Sequence, residues 1–361
     1  MEMILEGLFA KGPEPGFCCI GITDHCFFKC KMCDKWKTDI SVKPESRPPA
    51  VKEWKHFIYQ LSRMVKHRLK GHSPGSFEIN FAGGESLTHP HTLELVRYAS
   101  DLGFRTVIPS NGYLIDKRMA EKLNKAGLSA LNLSLDSLDP AIHDKFRGFP
   151  GAYKGVMRAI EAMRPYRFPE IGIITIIHDK TYKGTVDLVK WVESHDKLNW
   201  VLCMAIMQPN NTIFESGWYS RQDFSELWPK DKAAVIDTVG NLIRIKKEEE
   251  ERHRKGHAAA VKLVNTMPQL SAFRNYFSDP ESFVKNERSC NLDNAIQVSA
   301  VGEIYMCYHY DQIGSVHKGD FPKAWKARTA SHIRKKIKSC RTNCHELINC
   351  YFEDEYPFDA L

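Results

Sequence analysis

The chain lacks the features that would send it into or across a membrane. Its longest apolar stretches, Ile171–Ile177 and Trp200–Met207, fall far short of the roughly 20 residues needed to cross a bilayer, so no span is expected. Its first residues, Met-Glu-Met-Ile-Leu-Glu, hold no basic leader, so no secretory signal is expected and the compartment reads as cytoplasmic and reducing. No RNA-binding motif accompanies the net charge of +7, so nucleic acid is not an expected partner. The local basic excess, Lys323, Lys326, Arg328, Arg334, Lys335, Lys336 and Lys338, reads as a solvated helix face or as counter-charge for an anionic centre or partner. Apolar residues make up 43% and charged residues 26%, an ordinary balance for a globular protein, and 361 residues is long for one core, so two domains are expected.

Cysteine is what the chain does have: 11 residues, with no context for disulfides. They read as metal ligands or free thiols. Cys26, Cys30 and Cys33 stand at spacing C-x3-C-x2-C, and no fourth cysteine completes the loop. A structural zinc site closes its shell with four protein ligands, and a cubane iron–sulfur cluster is normally held by four thiolates. Three thiolates therefore leave one iron open, unless His25 or His56 completes a zinc site. Further on, Cys290 and Cys307 bracket a hairpin pattern with Gly302 at its turn, and Cys340, Cys344 and Cys350 follow. A zinc ribbon is the alternative there. Cys18 and Cys19 point to opposite faces of one strand and read as core residues.

Periodicity supplies the frame. Apolar strand patterns begin near residues 17, 77, 104, 130, 171 and 200, separated by helical patterns at 51–69, 92–102, 116–126, 153–163 and 185–194. Strands alternating with helices at this spacing indicate parallel β/α units. The rhythm stops after Asn210. A long helix is expected at 235–254, its run Lys246–Arg252 reading as a solvated face. Two glycines in Ala82-Gly83-Gly84-Glu85 follow the second strand, where the backbone can approach a neighbour or ligand closely.

The cysteine loop, the six-unit rhythm and Gly83-Gly84-Glu85 together resemble the radical S-adenosylmethionine (radical SAM) superfamily. The resemblance implies a partial (β/α)6 TIM-like barrel with its site at the C-terminal strand ends. It implies a [4Fe–4S] cluster on Cys26, Cys30 and Cys33 whose open iron is chelated by S-adenosylmethionine. It assigns Gly83, Gly84 and Glu85 to the amino end of that cofactor, Met32 to the position beside the adenine where relatives carry an aromatic residue, and Asn111 and Ser134 to ribose or carboxylate. Arg147 resembles an arginine that holds the methionine carboxylate, a task that suits a guanidinium fork. Asp136 is left open as a possible helix cap. The pattern Cys290-x11-Gly302-x4-Cys307 with its trailing cysteines resembles the SPASM and twitch extensions, small α+β domains that bind auxiliary clusters. One auxiliary [4Fe–4S] cluster on Cys290, Cys307, Cys340 and Cys344 is implied, with Cys350 as a further ligand or a free thiol. The expected divisions are 1–208 for the barrel, 209–285 for a helical bridge and 286–361 for the extension.

The implied chemistry is one-electron cleavage of S-adenosylmethionine, fed by flavodoxin or ferredoxin, to a 5′-deoxyadenosyl radical that abstracts hydrogen from substrate. An auxiliary cluster points to net oxidation. The stretch before Cys26 is too short for the recognition domain of peptide-maturing relatives, so a small alcohol, amino sugar or sugar nucleotide is expected over a peptide. The alternatives are a peptide or protein maturase, an epimerase with Cys203 as hydrogen donor, an RNA-modifying enzyme and a non-enzymatic zinc module. His178, Asp179, Tyr308 and His309 stand near strand ends as acid or base candidates.

Overall fold

The computed structural model describes residues 13–37, 47–73, 75–208, 215–224, 226–257, 261–281, 290, 292–344 and 348–349. Six strands follow one another in space as in sequence: β1 (Phe17–Thr23), β2 (Glu78–Gly83), β3 (Arg105–Ser110), β4 (Ala130–Ser134), β5 (Glu170–Ile177) and β6 (Trp200–Ala205). Each pairs in parallel with the next, as short strands with helical crossovers must. The crossovers are α1 (Val51–Met64), α2 (Thr92–Asp101), α3 (Lys117–Lys125), α4 (Pro140–Arg147), α5 (Ala152–Met163) and α6 (Tyr182–Ser194). The result is the parallel sheet of a partial barrel.

Helix α1 shows why these segments fold as they do. Trp54, Phe57, Ile58 and Leu61 recur at helical spacing and are buried, while a Glu53 oxygen accepts the Ala50 N–H at 2.6 Å and closes the first turn. The unexpected helix is α4. Asp139 caps it by accepting the N–H groups of Ala141 and Ile142, Pro140 occupies its first turn, and Gly148, at φ +60°, ends it. Asp136 is therefore not the cap.

The hairpin anticipated around Gly302 forms from β7 (Ala295–Val298) and β8 (Glu303–Tyr305), with Gly302 at φ +82°. It does not build a sheet of its own. Strand β7 lies parallel to β1, from Phe17 opposite Ala295 to Ile20 opposite Val298, and β9 (Gly314–Ser315) follows β8, giving the order β6-β5-β4-β3-β2-β1-β7-β8-β9. The C-terminal region thus covers the edge that β1 would otherwise leave unpaired.

Strand alternation divides the sheet into two faces. Ile20, Ile79, Phe81, Ile108, Leu131, Leu133, Ile173 and Val201 join the main core under the helices. Val107, Ala130, Trp200 and Leu202 form a separate cluster on the inner face. There the Trp200 ring lies across Gly172, where a Cβ would stand 1.7 Å from Nε1, and Nε1–H donates to Asn132 Oδ1 at 3.2 Å. This ring fills the inner face near the N-terminal ends of the strands.

The free edge of β6 is satisfied without another strand. Val201 N–H donates to Lys262 O and its carbonyl accepts from Val264 N–H. The Asn265 amide bonds both backbone groups of Cys203, at 2.8 and 2.7 Å, and the Asn349 amide bonds both of Ala205, at 2.7 and 2.9 Å. Gln269 joins the two asparagines. Helices α7 (Lys232–Arg254) and α8 (Met267–Ser278) back this cover. The charged run on α7 is accordingly not wholly solvated: buried Lys246 donates to Leu263 O and buried Glu249 accepts the Leu263 N–H. The basic stretch on α9 (Phe321–Lys326) and α10 (Arg328–Ser339) is likewise partly internal. Arg334 is buried over the Trp325 ring, 4.5 Å from its centroid, and donates to two carbonyls.

Replacing Asn265 with Ala strands both backbone groups of Cys203 in the interior. Urea unfolding is expected to show a loss of about 1–3 kcal/mol, with faster hydrogen exchange at the Cys203 amide.

Candidate active site

After Thr23 the chain enters an irregular loop that carries Cys26, Cys30 and Cys33 and closes with a helical turn at Lys35–Lys37. Its position is set by its neighbours. Gly84 N–H donates to Thr23 O at 2.7 Å, Glu85 N–H to His25 O at 2.9 Å, and Lys31 N–H to Phe146 O at 3.0 Å. These approaches require glycine. A Cβ at Gly83, which has φ +127°, would stand 2.0 Å from Thr23 O; at Gly84 it would stand 2.2 Å from His25 O. On the other side a Cβ at Gly148 would meet Lys29 O at 2.2 Å. The loop's two phenylalanines anchor it further. Phe28 stacks on Phe149 at 4.4 Å, and Phe27 meets Tyr113 and Phe149 edge-on. Lys35 pairs with Asp24 at 2.7 Å.

The three thiols sit partly buried on this clamped loop. Burial pushes Cys30 up to about 12, with Cys33 and Cys26 close enough to add to the rise. Burial also raises Cys26 and Cys33. A bound metal centre removes that penalty by holding the thiolate form. Among the described residues, no three His, Cys, Asp or Glu side chains converge on a single-ion position.

Polar groups gather around the loop at the C-terminal strand ends. Glu85, after β2, is buried and accepts from Ser110 Oγ at 3.0 Å, Asn111 N–H at 2.8 Å and Leu87 N–H at 3.4 Å. Burial pushes its carboxyl up to about 7 against these three donors. Asn111, after β3, accepts the Tyr113 N–H on Oδ1, while its buried Nδ2 has no partner. Asp136, after β4, takes Arg147 in a two-point ion pair, Nε to Oδ2 at 2.6 Å and Nη2 to Oδ1 at 3.0 Å. Phe146 meets Lys31 and Gly148 meets Lys29, which sets Arg147 beside Cys30, where its charge opposes the rise of that thiol. His143 accepts the Asp136 N–H on Nδ1, and His178, after β5, accepts the Lys180 N–H on Nδ1. Both imidazoles therefore carry their proton on Nε2, where each is buried without a partner. Burial lowers both to about 4, so both are neutral. His178 stacks on Phe146 at 3.6 Å.

Ser134 closes β4 on the inner face, and Met32 is buried at the margin of the main core. Cys203 is not brought here. It lies fully buried in the main core, on the face of β6 opposite Leu202, and burial pushes its thiol up to about 12. That is no position for a hydrogen donor to a substrate on the inner face. Asp179 is occupied by Lys180 and the Lys230 N–H.

Three cysteines of the second group, Cys340, Cys307 and Cys290, lie near Tyr310. Its hydroxyl donates to Lys336 O at 3.3 Å; burial pushes the phenol up to about 12, and the three thiols add to the rise. Cys344 is buried four residues beyond Cys340 in an irregular segment. Cys350 lies outside the described residues. Tyr308 is 55% exposed and packs beside Tyr305 at 5.2 Å.

The parts that sequence reasoning missed are α4, the Asp136–Arg147 pair and the aromatic box of Phe27, Phe28, Tyr113 and Phe149. Asp139-Pro140 followed by Gly148 is a start-and-stop signal for a short helix, and it was readable. The pair and the box join residues far apart in sequence and leave no local mark.

Three comparisons bear on this geometry. The family model of the radical SAM superfamily matches residues 20–192. AdoMet-dependent heme synthase of Methanosarcina barkeri is 38% identical over 117 residues, which cover 32% of this chain and only 31% of that relative. GTP 3′,8-cyclase of Marinobacter nauticus is 33% identical over 314 residues, covering 83% of this chain and 80% of the relative. Among solved structures, native anSMEcpe with bound AdoMet aligns with a TM-score of 0.61 at 16% identity, over 92% of this chain and 87% of that one, a likeness of fold.

Gly84→Ala forces the His25 carbonyl away and should detach the first cysteine loop. Anaerobically purified protein is expected to lose the iron of that loop while keeping the iron of the second group. Gly184→Ala, where a Cβ meets open space on α6, should keep both.

Proposed function

This chain belongs to the radical SAM superfamily, and on that footing we propose that it abstracts a hydrogen atom from a small polar substrate and oxidises it. The cofactors of that family are a [4Fe–4S] cluster and S-adenosylmethionine. When bound, they supply a 5′-deoxyadenosyl radical by one-electron cleavage, and an auxiliary cluster supplies an acceptor for the substrate's second electron.

The residues present fit such groups. Cys26, Cys30 and Cys33 offer three thiolates and no fourth from the loop, and the unpartnered Asn111 amide beside Glu85 offers a buried donor to a polar ligand. Gly83, Gly84, Asn111, Ser134 and Met32 would face S-adenosylmethionine. Glu85 fixes the frame in which Asn111 presents its amide. Cys290, Cys307, Cys340 and Cys344 would hold the auxiliary cluster.

The observation that carries the substrate class is the inner face. Trp200 lies there across Gly172, and Asn80 of β2 stands on the same face, opposite Cys19 of β1 and Val107 of β3. Buried Asn80 Oδ1 has no partner. An enclosed acceptor of this kind is costly until a hydroxyl or amine donates to it, which supports an alcohol, amino sugar or sugar nucleotide. The likeness to GTP 3′,8-cyclase favours a nucleotide within that class.

The test is anaerobic turnover with dithionite across alcohols, amino sugars, sugar nucleotides and GTP, following 5′-deoxyadenosine and substrate mass. Oxidation predicts a product lighter by two hydrogens. An unchanged mass, as in epimerisation or cyclisation, overturns the oxidative reading.

A further inference from the structure

We infer that Asp136 and Arg147 act as a fixed-charge pair that sets the reduction potential of the centre ligated by Cys30. This rests on the reading of Cys26, Cys30 and Cys33 as cluster ligands.

The pair is built for a fixed position. Arg147 is the last residue of α4, and Gly148 directly after it lets α4 close against Lys29 of the cysteine loop. Asp136 holds two guanidinium nitrogens and also accepts the Ile176 N–H at 3.1 Å, while its own N–H goes to His143. Two elements, α4 through Arg147 and β5 through Ile176, thus hold the carboxylate, and the carboxylate holds the guanidinium. Neither side chain is more than 9% exposed. Arginine remains charged in such a setting, and burial leaves the charge poorly screened.

Phe146 O accepts the Lys31 N–H at 3.0 Å and Gly148 abuts Lys29 O, so Arg147, between them, is set beside Cys30. A positive charge beside a ligand sulfur favours the more negative, reduced state of an iron–sulfur centre and raises its potential. Asp136 offsets part of that charge from the far side. His143 and His178, packed against the pair, are neutral and add no charge of their own. Arg147 is the foremost charge at Cys30 and a lesser one at Cys26 and Cys33, where Glu85 and Lys35 also stand near, so its field bears on the whole loop and chiefly on Cys30. Two of the three guanidinium nitrogens are committed to Asp136, which leaves Arg147 only one edge for a methionine carboxylate.

The test is an EPR-monitored redox titration of the anaerobic holoprotein without S-adenosylmethionine, with the auxiliary cluster as internal reference. Asp136→Asn keeps the shape and removes the offsetting charge, so the potential of the first cluster should rise. Arg147→Gln removes the positive charge and should lower it. The double variant should fall between the two, and the auxiliary potential should not move in any of them. If Arg147→Gln loses the cluster, the rise in Asp136→Asn still decides. Potentials unchanged from wild type, with only the KM for S-adenosylmethionine altered, would overturn the proposal and leave Arg147 as a cofactor clamp. A wild-type protein with no first cluster would instead overturn the reading on which it rests.

Discussion

Three close backbone approaches hold this site together. The cysteine loop has no regular structure of its own to fix it. It is placed because Gly83 and Gly84 let the end of β2 touch Thr23 and His25 on one side, and Gly148 lets the end of α4 touch Lys29 on the other. Each contact is nearer than any side chain permits. Thiols that must converge on one group need that rigidity, and the loop obtains it from strand and helix ends rather than from its own conformation. The aromatic box then fills the space behind Phe27 and Phe28, so the loop is packed as well as pinned.

The buried charges are arranged for position more than for stability. A buried ion pair such as Asp136–Arg147 repays little of its desolvation and is weak evidence of stabilisation. Its value lies in holding a guanidinium edge against Cys30. Glu85 follows the same logic: three donors oppose the effect of burial, and in return the ends of β2 and β3 are locked in register. Two neutral imidazoles complete the surroundings without adding charge. The site is thus buried and donor-rich, with Asn111 Nδ2, His143 Nε2 and His178 Nε2 left unpartnered.

Much of this was legible. Six strand patterns with intervening helices gave the partial barrel because each β/α unit writes its own local periodicity. Gly302 marked the hairpin because a tight turn needs positive φ. What was not legible is non-local. The residues Ala295–Val298 read as a hairpin strand, but nothing in them says that they pair with β1. Asn265 and Asn349 look like ordinary polar residues until they meet the unpaired edge of β6. Lys246, Glu249 and Arg334 sit in charge runs whose composition says solvent, and only packing turns them inward. Cys203 alternates onto the core face because the register of β5 and β6 puts it there. Asp136 resembles a cap in sequence, since its true partner lies 11 residues away at the end of α4.

The central claim is that one chain carries two separate iron–sulfur centres, one on the clamped loop and one around Tyr310. Metal and sulfide analysis of anaerobically purified protein, with Mössbauer spectra of the wild type and of Cys290→Ala, tests it most directly. The account predicts about eight irons per chain, falling to about four in the variant with the first centre retained. Stoichiometric zinc with almost no iron or sulfide would contradict it.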